Sequence, residues 1–593
     1  MRGQIAGVLG LHRTTSRLSI TSIASTTTKK AYKDLCNTLY RMGVKADMVC
    51  QKKSEILKIF EGQNASPSGG QPDDGMMPKV DAEPSPVSTD KGVLKRLRFG
   101  WVRRDSPAGP SVTAAEAGNT KSLALAPEFI RDIDFVDELG ETALHKAVLR
   151  GNKESVRLLL EKGALIEASN KYNNTPLHCA AQNGQTGMVE LLLERGALIE
   201  AIGEDNNTPL HLAARGGNMD TAKLLLEKGA QIEASNNYNN TPLHRAAQNG
   251  QTGMVELLLA RGAPIEAIGE SNDTPLHLAA WGGHIDTAKI LLEKCAQIEA
   301  SNKYNNTPLH RAAQNGQTGM VELLLGRGAP IEAIGEKNDT PLHLAAWGGH
   351  IDTAKLLLEK SAQIEASNEY NNTPLHRAAR NGQTCMVELL LGRGAVIEAF
   401  GYINSTPLHN AAWKGHIDAA KLLLEKGAQI EASNIYNSTP LHYAARNGQT
   451  GMVELLLGRG ALIEAIGEDN NTPLHHAARG GNIGTAKLLL EKGASIKAGN
   501  KHNNTPLHYA ARHGKTGMVE LLLGRGALIE AVGEHNNTPL HYAAEYGHVD
   551  IGMILLKNGA SVQAINHNNN TPLDLATLGG HTDVVQLLKN KAA

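Results

Sequence analysis

The tetrapeptide Thr-Pro-Leu-His recurs with its threonine at 175, 208, 241, 274, 307, 340, 373, 406, 439, 472, 505 and 538, a constant step of 33 residues. Thr-Ala-Leu-His at Thr142 and Thr-Pro-Leu-Asp at Thr571 keep the same register, so fourteen units fill residues 137–593 without an insertion or deletion. A period this strict excludes a globule with one central core. It requires a stack of like modules, each packed on its two neighbours. The units are numbered 1 to 14 from Thr142.

Unit 2 shows how one module is expected to fold. Thr175 is a good N-cap, and Pro176 at the first helical position fixes φ without removing a needed donor. Leu177, Ala180 and Ala181 give a short inner helix with a thin face, which Gly184 ends in the left-handed region. Met188, Val189, Leu191, Leu192 and Leu193 form a second helix closed by Gly196. A polar turn then leads to the next threonine, with Asn173 and Asn206 suited to positive φ. Neither helix is long enough to stand alone, so stacking must bury the leucine stripe.

A 33-residue unit carrying T-P-L-H-x-A resembles the ankyrin repeat. The resemblance covers residues 137–593. It implies an all-α solenoid with short β-hairpin tips, whose tips and inner helices line a concave groove that receives protein partners. It also implies that each motif histidine bonds the backbone of the adjoining tip. The last unit departs from the motif with Asp574 and ends in Lys589-Asn590-Lys591, as a polar cap should. Many repeats of that family close with Val-Asn-Ala. These close with Ile-Glu-Ala (Glu200, Glu233), so an asparagine modification known in the family does not carry over.

A 66-residue period overlies the first. Glu190, Glu256, Glu322, Glu388, Glu454 and Glu520 alternate with Lys223, Lys289, Lys355, Lys421 and Lys487 at one position of the outer helix. With neighbouring helices about 10 Å apart, an alternating charge ladder is expected there, serving solubility and register.

Aromatic residues make up only 4% of a chain that is 41% hydrophobic, so the interior must be Leu, Ile, Val and Ala. The few rings gather at the tips and on one side of the inner helix, with Phe400 the exception. The predicted partner-binding set is Trp281, Trp347, Trp413, Tyr304, Tyr370, Tyr436, Tyr443, Tyr509 and Tyr542, joined by Arg245, Arg311, Arg377, Arg380, Arg446, Arg479 and Arg512. Arg215 shares the surface. Trp, Tyr and Arg dominate binding hot spots, and a groove over about residues 240–550 suits an extended or multivalent protein partner. The alternative for the tryptophans is that duplication of a two-unit block copied one packing residue.

Several classes are disfavoured. Residues 126–593 carry 40 Lys/Arg against 49 Asp/Glu, so this acidic part repels nucleic-acid backbones. No apolar run is long enough for a membrane span. The five cysteines form no CxxC, which points to a reducing compartment and a cytoplasmic location, with nucleus and mitochondrion as alternatives. Motif histidines spaced by 33 residues spread along the array and cannot converge on a metal. Gly514-Lys515-Thr516 lacks the leading glycine and the strand of a phosphate loop. Neither a catalytic site nor a cofactor is predicted.

Residues 1–30 read as a disordered basic Ser/Thr-rich tail, with a mitochondrial transit peptide as the alternative. Residues 31–61 form a short helical hairpin, too small to bury its own core. A linker follows over 62–122, and an entry segment over 123–136. The basic run at 95–104 within the linker admits a nuclear import signal, a peripheral membrane contact or a strap on the acidic array. Oligomeric state is left open.

Overall fold

The computed structural model describes residues 133–592. The tail, the 31–61 hairpin, the linker with its 95–104 run and most of the entry segment lie outside the described residues. From Ala143 to Ala592 the chain forms 28 α-helices, two per unit, interleaved with six single 3-10 turns. No strand occurs among the described residues. The tips, expected as short β-hairpins, are tight turns instead. Asn236 N–H donates to Asn240 O (3.1 Å) within one tip, and Asn237 N–H donates to Asp205 O (2.8 Å) of the tip before. One rung between tips is too little ladder for a strand.

The cap of each inner helix decides the chemistry of the motif. In unit 4 the inner helix Pro242–Gln248 follows Thr241, whose backbone N–H donates to His244 Nδ1 at 3.1 Å. Nδ1 is thus an acceptor, and the Thr241 hydroxyl, 2.9 Å away, donates to it as well. The proton of the neutral ring therefore sits on Nε2, which donates to Asp273 O of the next unit at 3.1 Å. One side chain closes its own helix and fastens the following unit. In unit 14 Asp574 stands in the histidine's place and performs the cap, accepting the Thr571 N–H at 2.8 Å.

The core is aliphatic, with Leu243, Ala246, Ala247, Met254, Val255 and Leu258 of unit 4 all essentially inaccessible. The 66-residue period appears as an alternation of bulk. Outer helices of units 2, 4, 6, 8, 10 and 12 bury Met and Val (Met254, Val255 in unit 4), and those of units 3, 5, 7 and 11 bury Thr and Ala (Thr287, Ala288 in unit 5). Each seam thus sets large against small. A hydroxyl pair crosses it, Thr252 Oγ1 to Thr287 Oγ1 at 3.0 Å. Unit 9 has Ala419 at this place, and Thr384 contacts its own Gly382 carbonyl at 3.4 Å.

The expected glutamate–lysine ladder does not close. Lys223, Lys289 and Lys355 pair with Asp220, Asp286 and Asp352 one turn back on their own helices, at 3.5, 3.1 and 3.6 Å. That partner is nearer than a neighbouring helix axis about 10 Å away. The inter-unit ion pairs instead join helix ends, as in Arg261–Glu227 (3.6 Å) and Arg459–Glu425 (3.2 Å).

The Ile-Glu-Ala departure also has a structural reason. Glu266 Oε1 accepts the Gln297 N–H at 2.8 Å, and Glu332 Oε1 accepts the Gln363 N–H at 2.7 Å. Each carboxylate reaches a backbone donor of the following unit, where the charge strengthens the bond. Asn173 and Asn206 adopt the predicted positive φ, 62° and 60°. Gly335 is required for a different reason: a Cβ there would collide with Asn306 Oδ1 and lie 2.9 Å from the His310 ring.

Candidate functional site

Two of the three array tryptophans stand out from the surface. Trp281 is 47% exposed and Trp347 45%, and among the described residues neither indole N–H has a hydrogen-bond partner. Both sit near the end of an eight-residue inner helix, one step before the glycine that ends it. Trp413 is half-buried and engaged. Its Nε1 donates to Asn447 Oδ1 (3.1 Å), and Arg380 and Lys414 lie 4.5 and 4.6 Å from its ring centre. Burial, then the charge of Arg377, lowers the Arg380 pKa. The tip tyrosines Tyr304, Tyr370 and Tyr436 are exposed, while Arg446 and Arg479 are exposed at inner-helix ends.

The remaining predicted residues are engaged within the array. Tyr542 is only 4% exposed, which corrects its assignment to the partner-facing set. It packs edge-on against the His508 ring of the preceding unit, and its hydroxyl lies 3.3 Å from Asn504 Oδ1. Tyr443 and Tyr509 pack in the same way on His409 and His475, with their hydroxyls held by Asn434 and Asn500. These rings support the histidine cap from behind. Arg512 lies 5.7 and 5.5 Å from the Tyr542 and Tyr546 ring centres. Arg311 and Arg377 are neutralised internally, Nη2 to Asp273 Oδ2 and to Asp339 Oδ2, each at 2.5 Å. Arg245 alone of that trio has no such acid.

One cluster lies outside the predicted partner-binding set. Phe400 (63% exposed), Tyr402 (59%) and Ile435 (55%) crowd the tips around unit 9, and Tyr402 meets Tyr370 edge to face at 5.9 Å. Between them Ile403 is held at φ 51°. A β-branched residue in that region is strained. The corresponding residues in sister tips are Asp205, Ser271, Lys337, Asp469 and His535. The signal was a departure from the sibling units, which counting residue types by position does not weigh.

The chemistry of the surface is that of recognition. Buried motif histidines such as His178, His310 and His442 are pushed down to about 4, above all by burial, so they remain neutral. Burial, then the nearby Glu141 carboxylate, raises the Cys179 thiol to about 12, which leaves it unreactive. Among the described residues no group of three His, Cys, Asp or Glu is placed to hold a metal ion. A cleft lined by Asn504, His508, Tyr509, Arg512 and Tyr542 encloses only about 10 Å³, far below the roughly 300 Å³ of a small-molecule site.

Paired helices stacked through tight tips, with rings and arginines on the inner-helix side, define a helical-repeat protein. The family model described as ankyrin repeats (3 copies) matches residues 112–203, 197–269, 265–334, 331–400, 398–467, 461–533 and 526–593, and the chain belongs to the ankyrin-repeat family. Modules of this family are generally protein–protein interaction modules. No curated protein matches the chain. Among solved structures, the ankyrin repeat domain of human ASB11 is similar at 30% identity, over 37% of this chain and 98% of its own, with a TM-score of 0.35.

Proposed function

We propose that this protein is a non-catalytic scaffold whose tips and inner helices, over about residues 240–550, bind protein partners. The observation that carries the reading is the pair Trp281 and Trp347. Each leaves nearly half of a large apolar side chain, and an N–H unpartnered among the described residues, at the surface of an array whose core is aliphatic but for Tyr542. Burying such a residue in a partner's pocket is worth about 2 kcal/mol or more. Their recurrence every two units favours an extended or multivalent partner, which gains through effective concentration.

The test is a crosslinking pull-down from cell extract with the full chain and with a Trp281/Trp347/Trp413→Ala variant. Loss of specific prey proteins from the variant, with its helical circular dichroism unchanged, supports the reading. Equal recovery of every prey returns the indoles to a packing role and overturns it.

A further inference from the structure

The repeats supply their own control experiment. In units 6 and 8 the arginine four residues after the motif threonine is met by an aspartate from the preceding tip. Arg311 places Nη2 on Asp273 Oδ2 (2.5 Å) and Nε on Asp273 Oδ1 (3.4 Å). Arg377 grips Asp339 in the same two-pronged way, at 2.5 and 3.2 Å.

Unit 4 keeps the arginine and loses the acid. At the equivalent place stands Asn207, whose Oδ1 accepts Asn236 Nδ2 at 2.8 Å. Asp273 Oδ1 accepts Asn302 Nδ2 in the same way, at 2.7 Å. The side chains therefore superpose in role, and an amide NH2 replaces the second carboxylate oxygen. That NH2 donates to Glu204 O at 2.8 Å. Arg245 turns to Gln248 Oε1 on its own helix at 3.1 Å, and among the described residues it has no ion pair. Burial, then the charge of exposed Arg215, lowers its pKa, while Asp205 and Glu270 oppose the shift from a distance. A partly desolvated guanidinium thus lies within electrostatic reach of a second one. Its Nη1 is held by Gln248, and the Nε–Nη2 edge that Arg311 and Arg377 use is open to a planar anion.

We propose that Arg245 and Arg215 form a carboxylate-binding site for an acidic side chain of the protein partner, with the partner's carboxylate replacing the aspartate that units 6 and 8 carry internally. This rests on the reading of the array as a protein-binding scaffold. Arg245 supplies the two-pronged grip, as Arg311 does for Asp273, and Arg215 adds the long-range attraction.

The experiment adds the missing acid. The full chain and its Asn207→Asp variant are titrated with fluorescein-labelled hexaglutamate, with labelled hexaglutamine as the neutral control. Hexaglutamate binding that weakens about tenfold or more in Asn207→Asp, and equally in Arg245→Gln, is expected. The Asn207→Asp variant should also melt no earlier than the wild type, because it gains the internal pair. Equal hexaglutamate affinity in wild type and Asn207→Asp, or no preference of the wild type for hexaglutamate over hexaglutamine, overturns the site. The tryptophan pull-down reports separately: equal prey recovery there, beside a hexaglutamate response here, overturns the scaffold reading and leaves the anion site standing.

Discussion

Acid should dismantle this array well before its carboxylates protonate. Nine motif histidines (178, 211, 244, 310, 376, 409, 442, 475 and 508) are held at about 4, in each case chiefly by burial. Proton accounting agrees with the hydrogen bonds, since Nδ1 faces a backbone N–H and cannot accept a proton in place. The unfolded chain titrates at about 6.5. Above that pH both states are neutral and the stability is fully present. As the pH falls below it the unfolded state takes up protons that the folded state refuses, and stability drains until the folded pKa is reached. At about pH 5.5 each histidine has cost about 1.4 kcal/mol, so the nine together remove on the order of 12 kcal/mol. The assay is the urea midpoint of the full chain, followed by far-ultraviolet circular dichroism at about pH 7.5 and about pH 5.5 at constant ionic strength; the midpoint is used because repeat arrays need not unfold in two states. A steep fall in midpoint is expected, together with ring-nitrogen NMR shifts that show Nε2-protonated neutral imidazoles at both pH values. A midpoint that stays constant between the two, or motif histidines that titrate near 6.5 in the folded protein, would refute the reasoning.

Two further outcomes test the seams and the tips. Ala419→Thr should restore the hydroxyl pair with Thr384 that sister seams possess and raise stability by about 0.5–1 kcal/mol; a lower urea midpoint would show the seam to be overfilled instead. Ile403→Asn should relieve the positive-φ strain and stabilise by about 1 kcal/mol, read as a higher melting temperature, and an unchanged or lower value would locate the strain elsewhere.

The architecture was legible because one short motif carries its own physics. Thr175, Pro176 and Gly184 announce where a helix begins and ends, and thirteen repetitions leave the register no freedom. The tips were misjudged as strands because a turn with a single backbone rung and a short β-hairpin share the same Gly and Asn punctuation. The site was legible only as a set of residue types. Tyr542 and Tyr304 are both phenols, but Tyr542, on the inner helix Pro539–Glu545, lies over a histidine ring, while Tyr304, in a tip turn, reaches solvent. Arg311 and Arg245 likewise occupy the same register. What separates them is a residue 38 positions earlier, Asp273 in one case and Asn207 in the other. Ile403 was missed because it has the wrong chemistry for its turn rather than a suggestive one.

The alternation of bulky and slender outer helices limits how such an array can lengthen or shorten. Adding or deleting a lone unit would bring two Met-Val faces together, or leave two Thr-Ala faces with a gap between them. Within units 2–12 a pair of units can enter or leave and keep a Met-Val face against a slender one at every junction. For the inner units, packing therefore favours a change of length in steps of 66 residues, the doublet rather than the single repeat.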